Sequence, residues 1–184
     1  MSRWQPDARE RLEQAAIELF VEQGFAETTV PQITARAGLT TRTFFRHYAD
    51  KREVLFAGEE IPEMAARMMA EAPEGTDPMT QILEGLRTVA ATRFDPRKDE
   101  IRIRRDIVRS DPGLVERDLR KRAALSEVIR SAFVARGIWP LRAALLAETA
   151  MTLLYVSFDE WLDSDHDLFD VIEKTLAELR ETIA

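Results

Sequence analysis

The sequence predicts an all-α protein of about nine helices in two domains, one over residues 1–50 and a larger one over residues 51–184. Three observations support this fold class. Apolar residues recur at helical spacing along most of the chain, and no window alternates with a period of two. Proline, aspartate and glycine stand where helices would begin and end. The seven glycines and eight prolines are too few for a low-complexity chain.

The first helix is predicted from Asp7 to Gln23, where Gly24 ends it. Its buried stripe consists of Leu12, Ala16, Leu19 and Phe20. This amphipathic pattern is typical of a helix that packs one face on a small core.

Two short helices joined by a tight turn are predicted next. Thr29 is a suitable N-cap for the first of them, and Pro31 stands where a missing N–H costs nothing. Gly38 ends that helix, and Thr40 or Thr41 caps the second. The apolar residues of the pair are Val30, Ile33, Ala37, Leu39, Phe44 and Tyr48. The arrangement is a helix-turn-helix, with the motif at about 29–48.

The outward face of the second short helix carries donors and cations. Its members are Thr41, Arg42, Thr43, Arg46 and His47. Such a face can reach base edges and phosphates in a DNA major groove. Alternatively, His47 is an ordinary solvent-exposed residue of the helix without a contact to DNA.

The remaining elements are also predicted to be helical. A fourth helix opens at Asp50, where Glu53 completes a capping box, and it kinks or breaks at Ile61-Pro62 before resuming through Met64, Met68 and Met69. Residues 73–78 form a linker rich in proline and glycine. Later helices are predicted at residues 78–94, 97–109, 112–136, 140–163 and 167–183.

The N-terminal region resembles the DNA-binding domain of the TetR/AcrR family of bacterial transcriptional regulators, over about the first third of the chain. The matching residues are Ala15 to Phe20, Gly24-Phe25, Thr29-Val30, Ile33, Ala37-Gly38-Leu39, Thr43 to Tyr48 and Lys51 to Leu55. Two positions depart from the family pattern. Phe45 replaces a frequent tyrosine and so lacks a hydroxyl for DNA, and Pro31 stands where some relatives carry a base-contacting residue.

The motif and the resemblance together predict a set of DNA contacts. It consists of Thr29, Thr40, Thr41, Arg42, Thr43, Phe45, Arg46, His47 and Lys51. Arg42 is assigned to base edges and Lys51 to phosphate.

The net charge of −7 is unusual for a DNA-binding protein, but its distribution removes the conflict. Residues 1–56 carry eight basic and eight acidic side chains, whereas residues 57–184 carry eighteen and twenty-five. Residues 36–52 carry five basic side chains and only one acidic side chain. Local charge therefore permits DNA to dock at the motif, while the rest of the surface repels it.

The last two predicted helices are unusually apolar. The helix at 140–163 is apolar on almost every face, which indicates burial on more than one side. One interpretation is an ordinary central helix. The other is a homodimer interface in a four-helix bundle, and the family resemblance favours it. The candidate interface residues are Leu154, Phe158, Leu168, Ile172, Leu176 and Leu179.

An effector site is expected from the resemblance and from the large apolar residues of the second domain. Ten basic side chains lie within residues 97–122, together with six acidic ones. Such a run of charges usually forms a solvated helix face. The alternative is that these basic side chains surround the entrance of the effector site and bind an anionic end of the ligand. The candidate contacts are Met64, Met68, Phe94, Arg104, Arg105 and Tyr155, although the apolar members could equally be core.

Catalysis and cofactors find no support in the sequence. The two histidines, His47 and His166, are far apart, and no nucleophile elbow, Walker loop or metalloprotease motif is present. We expect no metal site, no cofactor, no leader, no membrane span and, with no cysteine, a cytoplasmic protein.

The preferred hypothesis is a homodimeric repressor of a palindromic operator, released by a small hydrophobic or amphipathic ligand. The alternatives are a DNA-binding activator or nucleoid-type protein without an effector, and a helical binding protein without DNA function.

Overall fold

The computed structural model describes residues 7–56 and 61–184. Within these ranges it is all-helical and contains no strand, as predicted. The α-helices are α1 Ala8–Gln23, α2 Val30–Ala37, α3 Thr41–His47, α4 Ile61–Glu71, α5 Pro78–Val89, α6 Lys98–Arg109, α7 Pro112–Ala135, α8 Pro140–Asp163 and α9 Leu168–Ile183. Apart from the start of α4 and the end of α5, their bounds agree closely with those expected from the proline and glycine signals.

The chain forms two compact units, and the division differs from a boundary at residue 50. The first unit contains residues 7–56 together with 102–118, and the second contains residues 61–101 and 119–184. The segment 102–118 joins the first unit because Ile107, Val108 and Leu114 are buried in the same apolar cluster as the residues of α1, α2 and α3. A division into two consecutive segments cannot describe such a unit.

The helix-turn-helix of the first unit is built by local capping. Thr29 and Gln32 form a capping box at the start of α2: the Thr29 hydroxyl accepts from the Gln32 N–H, and the Gln32 side chain accepts from the Thr29 N–H at 2.8 Å. Gly38 ends α2 in the left-handed conformation, with φ 64°. The Thr40 hydroxyl then accepts from the Thr43 N–H at 3.2 Å and caps α3. The turn follows from side chains within a few residues of it.

The predicted opening of the fourth helix at Asp50 is wrong in its details. Asp50 does accept from the Arg52 and Glu53 N–H groups, and Glu53 reaches back to the Ala49 N–H. The chain then forms only a short 3₁₀-helix, Glu53–Phe56. The Val54 and Leu55 carbonyls accept from the Arg104 guanidinium. Residues 57–60, where the predicted helix would continue towards its kink, lie outside the described residues, and α4 begins at Ile61.

The second unit is a bundle in which α8 packs against α5 and α9. The predicted helix 78–94 is divided: α5 ends at Val89, and a π-helical turn, Ala90–Phe94, follows it. This turn brings Phe94 into the core, where its ring meets Phe158 edge to face at 4.9 Å. The next residue, Asp95, accepts from the Leu168 N–H at 2.9 Å, which ties this turn to the start of α9.

The expectation that no apolar run is long enough for a membrane span is corrected for α8. By length and composition alone, this helix could cross a membrane. Half of its apolar window is buried within the protein, and α8 supplies core residues such as Leu153 and Trp161, which have no exposed surface. The apolar character of α8 is therefore explained by its central place in the second unit.

Candidate nucleic-acid interface and effector cavity

The outer face of α3 is a compact exposed surface of mixed polar and apolar groups. Thr41, Arg42, Phe45, Arg46 and His47 are exposed, while Phe44 between them is fully buried. Phe44 and the buried Tyr48 therefore hold α3 on the unit and turn its other side outward.

Two of the four threonines predicted as DNA contacts cap helix starts. Thr29 and Thr40 are the N-caps of α2 and α3, and both are exposed. Thr43 is half-buried, and its hydroxyl lies 3.0 Å from that of Thr40. Helix N-termini attract anions through their amide groups and dipole, so these positions remain candidates for phosphate.

The exposed cations near the motif differ in what they already bind. Arg36 forms a paired contact with Glu22, with N–O distances of 2.6 and 2.7 Å, which neutralises it locally. In the described part of the chain, the polar neighbour of the Arg46 guanidinium is the ring of His47, at 3.4 Å. Within the described ranges, the Arg42 and Arg52 side chains form no hydrogen bond or ion pair. The sequence analysis did not select Arg52. Arg52 and Lys51 are adjacent cations, and the sequence does not indicate which of the two is free to contact DNA.

The assignment of Lys51 to phosphate is corrected. Its ammonium donates to the carbonyls of Phe25, Ala26 and Thr28, at 2.7, 3.2 and 2.8 Å. It also lies over the Phe25 ring, 4.3 Å from the centroid. Partial burial lowers the pKa of Lys51 from its ordinary value. All three donors are used inside the protein, so Lys51 stabilises the loop between α1 and α2.

A network of charged groups holds the end of α3 against α1. The Tyr48 hydroxyl donates to Glu13 at 2.7 Å, and Arg9 donates to the same carboxylate at 3.1 Å. Arg104 lies 3.4 Å from the other Glu13 oxygen. Burial, and after it the bond to Glu13, raises the pKa of the Tyr48 hydroxyl far above its usual range. Tyr48 is therefore a neutral donor that fixes the C-terminus of α3.

The turn between α2 and α3 has a second support. Arg11 donates to the carbonyl of Ala37, at the end of α2. A Cβ atom on Gly38 would approach the Arg11 guanidinium to 2.9 Å, besides requiring an unfavourable φ of 64°. Glycine is needed here for the backbone and for the close approach of Arg11.

The second unit contains an apolar cavity of about 70 Å³ between residues of α4, α5, α7 and α8. Met68, Gly85, Leu125 and Met151 are among the residues that line it. Gln81 is the polar side chain at its wall; its amide nitrogen donates to the Met69 carbonyl at 3.3 Å. Among the described residues that line this cavity, none carries a charge.

The structure separates the six predicted effector contacts. Met68 lines the cavity, whereas Met64 and Phe94 pack in the core of the second unit. Tyr155 lies under the Arg122 guanidinium, 3.3 Å from the ring centroid.

The two arginines predicted to meet an anionic ligand belong to the first unit. Arg104 is buried and donates to the Val54 and Leu55 carbonyls, and Arg105 pairs with Asp118 at 3.8 Å. Their assignment to a ligand is corrected, because their charges already serve the fold.

The predicted interface residues of α8 and α9 do not form a free surface either. Leu154, Phe158, Leu168, Ile172 and Leu176 are buried within the protomer. Leu179 is half-buried against the same core. The helical pattern indicated their burial correctly, but their partner is the chain itself. The exposed apolar residues of α8 are Leu141, Leu145 and Val156.

Comparison with known proteins identifies relatives of this chain. The sequence profile of bacterial regulatory proteins of the tetR family matches residues 13–57. The HTH-type transcriptional regulator TcmR of Streptomyces glaucescens is 37% identical over 82 residues, which cover 44% of this chain and 36% of TcmR. The transcriptional regulator MftR of Mycobacterium tuberculosis (strain ATCC 25618 / H37Rv) is 30% identical over 155 residues, which cover 80% of this chain and 76% of MftR.

A solved structure extends the likeness to both units. The chain is similar to FadR of Thermus thermophilus, a TetR-family transcriptional repressor crystallised with lauroyl-CoA. The TM-score is 0.55 and the identity 26%, with 96% of this chain and 95% of that chain covered.

Proposed function

This chain belongs to the TetR family of bacterial regulatory proteins, and we propose that it is a cytoplasmic repressor that binds a palindromic operator as a homodimer. In this proposal the first unit contacts DNA, and the second unit binds a small effector and joins two copies. Binding of the effector favours a conformation with lower affinity for the operator, and the ligand acts only through that difference.

The exposed face of α3 is the observation that carries the proposal. It presents Arg42 and Arg46 as available cations, and Thr41 and His47 as further donors. Phe44, Tyr48 and the Glu13 network hold the helix from behind, so this face is rigidly displayed. A short capped helix with such a face fits the major groove, where arginine can bind guanine in a bidentate manner.

Twofold symmetry follows from how a helix-turn-helix protein reads DNA. Two recognition helices about 34–36 Å apart fit successive major grooves on one side of the duplex. The relatives named above are regulators, and the exposed apolar residues of α8 offer a contact for a second copy. We assign the dimer interface to this outer face of α8 and its neighbour α9.

The cavity of the second unit supports an effector of one chemical kind. Its wall is apolar apart from Gln81 and lacks a charged group among the described residues. An anion transferred into such a site would stay without a partner, which is strongly unfavourable. We therefore infer a small uncharged ligand, with at most one or two polar atoms close to Gln81.

Replacement of Arg42 by alanine tests the DNA-binding part of the proposal. We expect Arg42→Ala to lower operator affinity by about 1–3 kcal/mol and to relax specificity at one position of each half-site. Arg67→Ala is the matched control, because Arg67 is also an exposed helical arginine but lies in the second unit. Titrations against operator variants measure both effects. Equal behaviour of the two variants would contradict the proposal.

A further inference from the structure

We propose that Phe45 is a specificity-determining residue that contacts the C5-methyl group of one thymine in each half-site of the operator. The inference rests on the proposed function, since it assumes that α3 enters the major groove. It deepens that function by naming the base and the atom that one apolar side chain recognises.

The ring of Phe45 is exposed in a way that the fold does not require. It is 58% exposed, whereas its neighbour Phe44 has no exposed surface. The two rings meet nearly edge to face, with centroids 5.5 Å apart and an interplanar angle of 82°. One flank of Phe45 is thus held in place while the remainder of the ring faces solvent. The exposed part of the ring is therefore available to an apolar partner on the outer face of α3.

The neighbours of Phe45 limit what the ring can contact. Thr41 and Arg42 lie one turn earlier on the same helix, at the i−4 and i−3 positions, and both are exposed. A groove that receives Arg42 at a base edge therefore also receives Phe45 at a neighbouring base.

The chemistry of the groove then selects the partner. A phenyl ring has no hydrogen-bond donor, so it gains nothing from a phosphate oxygen. The C5-methyl group of thymine is the apolar group that a base pair displays in the major groove, and phenylalanine is one of the side chains that contact it. A phenylalanine placed as a wedge would instead open a base step from the minor groove, and that contact does not depend on a methyl group.

The test removes the methyl group and the ring separately. The purified full-length protein first selects binding sequences from a randomised duplex library. In the selected duplex, each thymine in turn is then replaced by deoxyuridine, which lacks only the methyl group. We expect one such replacement to lower wild-type affinity about fourfold per half-site, the factor that corresponds to losing the burial of one methyl-sized group. The same replacement should have no effect on Phe45→Ala.

The outcomes separate this inference from the proposed function. Failure to enrich any sequence would overturn both, whereas an enriched operator that is insensitive to deoxyuridine would overturn only the contact of Phe45. An equal loss in the wild type and in Phe45→Ala would assign the methyl contact to another residue and would also overturn it. Phe45→Gln serves as a second variant, with folding checked by circular dichroism, in case alanine disturbs the packing against Phe44. Phe45→Tyr, which keeps the ring, should keep the sensitivity to the methyl group.

Discussion

Lys51 and Arg52 are adjacent cations whose surroundings assign them to different tasks. The Lys51 ammonium is half-buried and donates to three carbonyls of the loop between α1 and α2. The Arg52 side chain is exposed and, among the described residues, forms no hydrogen bond or ion pair, while its backbone N–H donates to Asp50. Charge at these positions therefore supports the loop in one case and is available to a phosphate in the other.

Replacement of Lys51 by methionine should lower stability without changing the electrostatics of DNA binding. Hydrogen bonds from a charged donor contribute about 1.5–3 kcal/mol, so we expect a loss of about 2 kcal/mol, measured by urea unfolding. The slope of DNA affinity against salt should stay as in the wild type, because the residue neutralises no phosphate. Arg46→Ala is the contrasting variant and should flatten that slope with little change in stability. A flattened slope in Lys51→Met would return Lys51 to the DNA contacts.

At the scale of elements, α5 contains a glycine in its interior, a position at which glycine usually destabilises a helix. Gly85 lies within Pro78–Val89 and lines the cavity of the second unit. A Cβ atom there would meet only the terminal methyl of Met68, at 3.8 Å, an ordinary contact. Alanine would therefore fit, and it would favour the helix by about 0.5–1 kcal/mol. The missing side chain leaves space in the cavity that a larger residue would occupy.

Filling this space should remove the effector response and leave operator binding intact. We expect uncharged probes, 1-hexanol and indole, to raise the melting temperature of the wild type with increasing concentration. Gly85→Leu should abolish that rise, while Gly85→Ala, the matched control, should keep it. Hexanoate should produce no rise in any variant, since the cavity wall offers an anion no partner. A hexanoate response equal to that of hexanol would contradict the assignment to uncharged ligands.

At the scale of the whole molecule, the proposed dimer requires an outer face, and the exposed residues of α8 define it. Leu141, Leu145 and Val156 are 55%, 62% and 60% exposed, on the side of α8 opposite its buried stripe. Next to this face, the exposed Glu160 of α8 pairs with Lys174 of α9 at 2.6 Å, and further inside the buried Ser157 meets Thr175 at 2.8 Å. The two helices therefore present one continuous surface.

A charge at Val156 should split the dimer while the protomer stays folded. In Val156→Asp the carboxylate would be buried twice across a twofold interface without a partner, so we expect monomers at micromolar concentration and weak operator binding. Val21→Asp is the control, since Val21 is an equally exposed helical valine, at 62%, in the first unit. Sedimentation velocity distinguishes the variants. A stable Val156→Asp dimer would move the interface elsewhere.

Substitution at the buried positions selected from sequence would give a different result. Leu154 and Leu176 are 5% and 7% exposed within the protomer. An aspartate at either position would be buried inside the second unit and would unfold it, and so would not report on the dimer. The helical pattern predicted that these residues are buried, but it could not distinguish burial in the chain's own core from burial against a second copy.

By itself, the sequence determined the all-helical fold class, the helix-turn-helix and the limits of most helices, although not the start of α4 or the end of α5. These depend on signals that act over a few residues, such as the capping box of Thr29, the left-handed Gly38 and the prolines that open α5, α7 and α8. The sequence also showed the resemblance of this motif to one family, because the residues of the motif are contiguous in the chain.

Only the tertiary structure decided which charges are free and which apolar residues are covered. Lys51 is engaged by carbonyls 23 to 26 residues away, and Arg104 by carbonyls 49 and 50 residues away and by Glu13, 91 residues away. The contacts of Arg104, together with the burial of Ile107, Val108 and Leu114, join residues 102–118 to the first unit. A local pattern specifies which face of a helix is apolar or charged, but the partner of that face is set by packing between segments that are distant in the chain.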